Sequence, residues 1–190
     1  MPKRSLRQLL LAKRKALSPA EIMGGSHAVQ RKFIALEEFA AARVVALYAA
    51  VHNEVDTKEV MREALASAKV LIYPAVCGEG LVFRRISGQA ELRLGAFGIM
   101  EPDTACEELV PQEADIIVVP GVAFDIGGKR IGYGKGYYDR ALHRLEGEGK
   151  LVGFCFDFQL VEEIMGEPHD VKMDMIITEK RVVRPRASNI

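Results

Sequence analysis

The thirteen residues from Gly127 to Asp139, Gly127-Gly128-Lys129-Arg130-Ile131-Gly132-Tyr133-Gly134-Lys135-Gly136-Tyr137-Tyr138-Asp139, concentrate residue types that handle phosphate. Between Gly127 and Gly136 lie five glycines and three cations. Closely spaced glycines let backbone N–H groups approach an anion without Cβ obstruction, and Lys135 adds a charge. A helix starting behind such a loop also favours phosphate. The loop is not a Walker A sequence, because GxxxxGK[ST] is absent. Taken alone, the same residues also describe a flexible turn, with Asp139 offsetting the dipole of the next helix. A second cationic group opens the chain: Lys3, Arg4, Arg7, Lys13, Arg14 and Lys15 precede the first acid, Glu21. On a helix Lys3 and Arg7 share a face, so they either point at one anion or form a solvated basic surface.

The elements that must position these residues follow from periodicity. Residues 4–16 read as a helix with Leu6, Leu9, Leu10 and Ala16 on its apolar stripe and Lys3, Arg7 and Arg14 on another face. Ser18-Pro19-Ala20-Glu21 reads as a capping box with proline first in the helix. That second helix is expected to reach about Phe39, weakened at Gly24-Gly25. Val44–Val51 is an apolar run expected of a strand covered on both faces. Thr57–Ala68 is helical by pattern, and Val70–Tyr73 is a strand expected to end at Pro74. Leu81–Ile86 and Glu91–Leu94 form a more polar, hairpin-like excursion. Asp115–Val119 is a buried strand closed by Pro120-Gly121. A helix is expected from about Gly136 to Glu146, with Tyr138, Ala141, Leu142 and Leu145 facing inward. Leu151–Phe156, Met175–Thr178 and Arg181–Val183 complete the strands. This alternation means an α/β fold with a largely parallel sheet, in which ligands bind beyond the carboxyl ends of strands.

Composition narrows the function classes. The chain has 190 residues, which favours one domain over 1–190. Lys plus Arg and Asp plus Glu both number 26, and zero net charge argues against a general nucleic-acid binder. No run of about 18 apolar residues is present, so no membrane span is expected. The basic N-terminus lacks the continuous apolar stretch of a signal peptide. Cys77, Cys106 and Cys155 are odd in number and far apart, unlike a disulfide framework or a cysteine-rich zinc site. A reducing compartment, the cytoplasm, is the expectation.

The segment VVPGVAFDIGGKRIGYGKGYYDRAL at 118–142 resembles the signature of the 5-formyltetrahydrofolate cyclo-ligase (5,10-methenyltetrahydrofolate synthetase) family. KRSLR at 3–7, NEVDT at 53–57, FGIMEP at 97–102 and HDVKMD at 169–174 resemble further family motifs in the same order. The resemblance covers nearly the whole chain. It implies a three-layer α/β/α, NagB/RpiA-like fold. It also implies conversion of 5-formyltetrahydrofolate and ATP, with Mg²⁺, into 5,10-methenyltetrahydrofolate, ADP and phosphate.

Site roles follow by position from that resemblance. Lys3, Arg4, Ser5, Leu6 and Arg7 would contact ATP, as would Arg130, Ile131, Gly132, Tyr133, Gly134, Lys135, Gly136, Tyr137 and Tyr138. Arg130 and Lys135 would stabilise the transferring phosphoryl group. The folate would meet Arg7, Ala49, Glu54, Tyr133, Gly134, Lys135, Gly136 and Tyr137, with Tyr133 contributing chiefly its backbone. Helix periodicity puts Tyr138 in the core and leaves Tyr137 near ligand. Asp139 and Asp170 would bind Mg²⁺, with Asp174 the competing choice or a structural cap. His169 either accepts a proton or orients Asp170, and the second is preferred; the general base stays open. The implied partners are small molecules, 5-formyltetrahydrofolate and ATP, with no nucleic acid or membrane, and the chain is expected to be a monomer. The alternatives are a paralogue with another phosphoryl-transfer substrate and a non-catalytic folate or nucleotide sensor.

Overall fold

The computed structural model describes residues 2–148, 150–165 and 170–185. The helices are α1 (Lys3–Lys15), α2 (Pro19–Ile34), α3 (Glu37–Ala41), α4 (Lys58–Ala66) and α5 (Tyr137–Leu142). The first six strands are β1 (Val44–Ala46), β2 (Val70–Cys77), β3 (Gly80–Ile86), β4 (Leu92–Leu94), β5 (Met100–Pro102) and β6 (Glu108–Leu109). Then come β7 (Ile116–Val119), β8 (Ala123–Asp125), β9 (Arg130–Ile131), β10 (Leu151–Phe154), β11 (Leu160–Val161), β12 (Met175–Ile177) and β13 (Val182–Val183).

An eight-stranded sheet in the order β13-β12-β10-β7-β1-β2-β3-β6 forms the middle layer. The five strands from β12 to β2 run parallel, and β13, β3 and β6 are antiparallel additions at the edges. Period-two alternation splits each central strand between two cores. Val45, Val118 and Phe154 pack with Val29, Phe33 and Val60 of α2 and α4 on one face. Ala46, Ile117 and Ile176 pack with Leu142 and Leu145 on the other. Helical layers therefore cover both faces, which is why the strands read as continuous apolar runs. Among the described residues no helix is long and apolar enough to cross a membrane.

Several element boundaries differ from the sequence expectation. The apolar run 44–51 pairs as a strand only to Ala46; Leu47 still donates its N–H to Ile72 O at 3.0 Å. Beyond it the chain folds back on itself. Tyr48 Oη donates to Val55 O at 2.7 Å and Thr57 Oγ1 donates to Tyr48 O at 2.7 Å. These residues are apolar because the loop is largely buried, and in sequence such burial has the same pattern as strand pairing. Strand β2 runs through Pro74 to Cys77. Its parallel pairing with β1 ends at Ile72, so the proline sits where that side of β2 has no such neighbour to receive an N–H. Helix α2 stops at Ile34 and α3 is separate. The Gly24-Gly25 pair does not break α2. A Cβ on Gly25 would lie 2.7 Å from the Phe156 ring, so that glycine permits close packing. The helix expected over 136–146 divides into α5 and a 3₁₀ turn at His143–Leu145. The Ser18–Glu21 capping box is present, with Ser18 N donating to Glu21 Oε2 at 2.8 Å.

Two features of the topology build the site. The chain leaves β1 through α4 to β2 on one side, and later places β7 on the other. Such a switch point opens a crevice beyond the carboxyl ends of the two strands. From the end of β7 the β8–β9 hairpin rises and carries the Gly-rich loop at its far end. Buried Asp125 shapes the hairpin turn: Oδ1 accepts from Gly127 N and Lys129 N, each at 2.9 Å, and Oδ2 from Ile164 N at 2.8 Å.

Candidate active site

A cavity of about 1090 Å³ occupies the crevice. Its wall includes the loop after β1 (Tyr48 to Glu54), Pro120 after β7, the stretch Arg130–Arg140, Lys3 and Arg7 of α1, and Asp170. Phe97, Ile99 and Met100, between and on the β4–β5 hairpin, close another side. The volume lies at the upper end of the usual range of about 300–1,000 Å³ for a small-molecule site.

Helix α1 presents a cationic face to this cavity. At 100° per residue, Lys3, Arg7, Leu10 and Arg14 fall within an arc of about 60°. Leu10 packs with Val122, Ala123 and Ile131, docking α1 on the β8–β9 hairpin. The first turn holds no acid, so the positive end of the helix dipole meets Lys3 and Arg4 rather than a compensating carboxylate. Arg7 Nε donates to Gly132 O at 2.8 Å and so fixes the Gly-rich loop. The expected apolar stripe needs correction: Leu9 is exposed, and the buried residues of α1 are Leu10 and Arg14.

Glu54 lies in the β1–α4 loop, eight residues beyond the end of β1, and is buried. Its Oε2 accepts from Val51 N at 3.0 Å, and its Oε1 from Tyr133 Oη at 3.2 Å. The Arg14 guanidinium lies 3.9 Å from Oε1. Burial raises the Glu54 carboxyl above its ordinary value, and Arg14, the Val51 N–H and the Tyr133 hydroxyl partly oppose this. The Tyr133 phenol is pushed up to about 12, first by burial and then by the Glu54 charge. The Tyr133 side chain, beyond the backbone contact to ligand expected of it, reaches across 79 positions to Glu54.

The two carboxylates expected to hold metal are each engaged. Asp139 Oδ1 lies 2.9 Å from Arg130 Nη2 and accepts from Val171 N at 3.4 Å. Asp170 Oδ2 lies 2.5 Å from Lys3 Nζ. Arg130 also donates to Pro120 O at 3.3 Å, while its buried Nε has no hydrogen-bond partner among the described residues. Among the described residues no group of three or more His, Cys, Asp and Glu side chains converges. Two part-exposed carboxylates nevertheless suit Mg²⁺, which takes oxygen ligands and keeps waters and substrate phosphates as the rest. Asp174 is elsewhere: its Oδ2 accepts from Leu151 N at 2.9 Å, which makes it a clamp between β10 and the entry to β12. His169 lies outside the described residues.

The structure brings Lys3, Arg7, Ala49, Glu54, Arg130 to Asp139 and Asp170 to one wall. It does not bring Arg4, Ser5 and Leu6: Arg4 and Ser5 are exposed, and Leu6 packs against the β8–β9 hairpin cluster. Tyr138 packs on the second core as expected but also lines the cavity, with the Arg130 guanidinium 5.6 Å from its ring centroid. Tyr137 is therefore not alone; its ring centroid is 6.2 Å from that of exposed Phe97, over which Lys135 Nζ sits at 5.7 Å. The three cysteines are free, with Cys155 buried. Arg14 went unrecognised as part of the site, although its angular position beside Lys3, Arg7 and Leu10 was in the sequence.

Comparison with known proteins agrees with this fold. The solution structure of Aquifex aeolicus 5,10-methenyltetrahydrofolate synthetase superposes with a TM-score of 0.87 at 41% identity, covering 100% of this chain and 96% of that one. The Mycoplasma pneumoniae synthetase superposes at 0.78 with 27% identity, covering 94% and 99%. The 5-formyltetrahydrofolate cyclo-ligase of Escherichia coli is 26% identical over 179 residues, 92% of this chain and 98% of its own length. A model of the 5-formyltetrahydrofolate cyclo-ligase family matches residues 1–179, and with most of its length so matched the chain belongs to that enzyme family.

Proposed function

We propose that the protein cyclises 5-formyltetrahydrofolate to 5,10-methenyltetrahydrofolate with ATP as co-substrate. One observation carries the reading: a cationic helix face, a Gly-rich loop and a buried carboxylate line one cavity large enough for both molecules. A formamide oxygen leaves poorly, so closure of the ring by N10 needs activation. The formyl oxygen attacks the γ-phosphorus and ADP departs. N10 then attacks the formyl carbon, the C–O bond breaks to release phosphate, and N10 loses its proton. Phosphoryl transfer asks the protein for positioning and charge stabilisation. Lys3, Arg7, Arg130 and Lys135 supply that charge, and the backbone of 132–136 supplies N–H donors. Glu54 would accept from the N–H groups of a pterin, and Tyr137 would offer it a ring face. Asp139 and Asp170 would hold Mg²⁺, which when bound neutralises phosphate charge. The protein is read as a single-domain monomer acting on small molecules.

The test follows absorbance of the methenyl product while protein is mixed with 5-formyltetrahydrofolate, ATP and Mg²⁺. A signal requiring all three supports the reading. ATP binding without turnover would move the assignment to a different phosphoryl acceptor or to a sensor.

A further inference from the structure

Arg14 is the most deeply buried charged residue of α1, its side chain 1% exposed, and the phosphate chemistry above does not use it. It nevertheless ties together three segments that come from distant parts of the chain. Its Nε donates to His52 O at 3.0 Å, its Nη1 to Gly121 O at 3.0 Å, and its Nη2 to the Tyr133 hydroxyl. Its own carbonyl accepts from Asn53 Nδ2 at 3.2 Å. Glu54 Oε1, 3.9 Å away, is the nearest opposing charge.

The turn that bears Glu54 needs such support. His52 and Asn53 have φ of 50° and 59°, left-handed values that non-glycine residues adopt infrequently. The turn closes through Glu54 N to Val51 O at 3.0 Å. Arg14 bonds both left-handed residues, one through its guanidinium and one through its carbonyl. Both oxygens of Glu54 are also held, Oε2 by Val51 N and Oε1 by Tyr133 Oη, itself on Nη2 of Arg14.

We infer that Arg14 is a positioning residue, locking the Glu54 turn to the Gly-rich loop so that the pterin-side carboxylate and the phosphate loop keep one relative placement. The inference rests on the folate reading of Glu54. A guanidinium suits the task because its fixed fork reaches several acceptors at once, whereas a lysine supplies one compact charge. Arg14 and Glu54 are themselves buried, and losing the guanidinium would leave the buried Gly121 carbonyl without this donor while releasing the part-buried His52 carbonyl and Tyr133 hydroxyl.

Isothermal titration of 5-formyltetrahydrofolate into the full chain tests this without requiring turnover. Wild type, Arg14→Met, Glu54→Gln and the double variant form a cycle, with a thermal melt of each to establish that it is folded. Arg14→Met is expected to weaken folate binding about tenfold or more beside Glu54, and less than about threefold in the Glu54→Gln background. Should Arg14→Met not fold, the same cycle is run at Arg14→Lys, which keeps the buried charge but spans fewer acceptors. An equal loss in both backgrounds, or a folded variant that binds like wild type, overturns the inference. Failure of wild type itself to bind the folate overturns the functional reading and this inference with it. Retained wild-type binding with an additive cycle overturns only the role of Arg14.

Discussion

Arg130 and Asp139 face each other across nine residues, with Nη2 of the arginine 2.9 Å from Oδ1 of the carboxylate. The arginine assigned to the phosphoryl group and a carboxylate assigned to the metal are thus mutual counter-ions before any ligand arrives. Under the proposed function, substrate binding would exchange this pairing for phosphate on one side and a cation on the other.

Asp139→Asn keeps the shape but removes the charge. The Mg²⁺ concentration giving half-maximal turnover should rise about tenfold or more. Stability should fall by about 1–2 kcal/mol, because a buried guanidinium loses its counter-charge while Asp139 itself stays partly solvated. A magnesium titration of initial rates checks the first expectation, and an unchanged midpoint would remove Asp139 from the metal site.

Lys135 is exposed on the Gly-rich loop, with its Nζ over the Phe97 ring. Lys135→Ala should cut turnover by about 100-fold, with a melting temperature within about 1 °C of wild type because exposed side chains contribute little to stability. Steady-state rates and a thermal melt on the same preparation separate the two effects. Parallel losses of rate and stability would count against a role at the phosphoryl group.

Burial raises the Glu54 carboxyl, so the native state binds its proton more tightly than the unfolded chain does. Stability attributable to this group is therefore present below the ordinary carboxylate range and is lost as pH rises through the folded value. Glu54→Gln cannot titrate. Its stability relative to wild type should accordingly increase from pH 5 to pH 8 in denaturant melts, even as folate binding weakens. A relative stability that falls with pH would reverse the assigned direction.

Gly128 turns the β8–β9 hairpin with φ of 92°, and a Cβ there would sit 2.5 Å from Met173 O. Gly128→Ala should cost about 3 kcal/mol, combining backbone strain with a backbone clash. Thermal denaturation reads this directly. Activity should fall with it, since this hairpin carries the Gly-rich loop.

Elements whose reasons are local could be read from the sequence. The Ser18–Glu21 box, the amphipathic α4 and the two-faced apolar strands β7 and β10 depend on neighbours a few residues away. Burial without pairing could not be read in this way: residues 47–51 have strand composition but form a folded-back loop. Nor does spacing reveal that Lys3 meets Asp170, 167 positions away, or that Tyr133 meets Glu54. Arg14 was obscured by its company. In a run of basic residues, the one that is buried is distinguished only by its angle, shared with Leu10.

Helix α1 lies outside the two cores that flank the main sheet, and Leu10 and Arg14 are its buried side chains. It is held by one small apolar cluster and by polar contacts to the loops around the cavity. Its detachment is therefore a smaller event than global unfolding, and one that dismantles the phosphate side and the carboxylate side together. Substrates that bind only the docked form suppress this opening by mass action. The amides of α1 should then act as an occupancy gauge, exchanging with solvent more slowly as the cavity fills while those of β7 and β10 scarcely change.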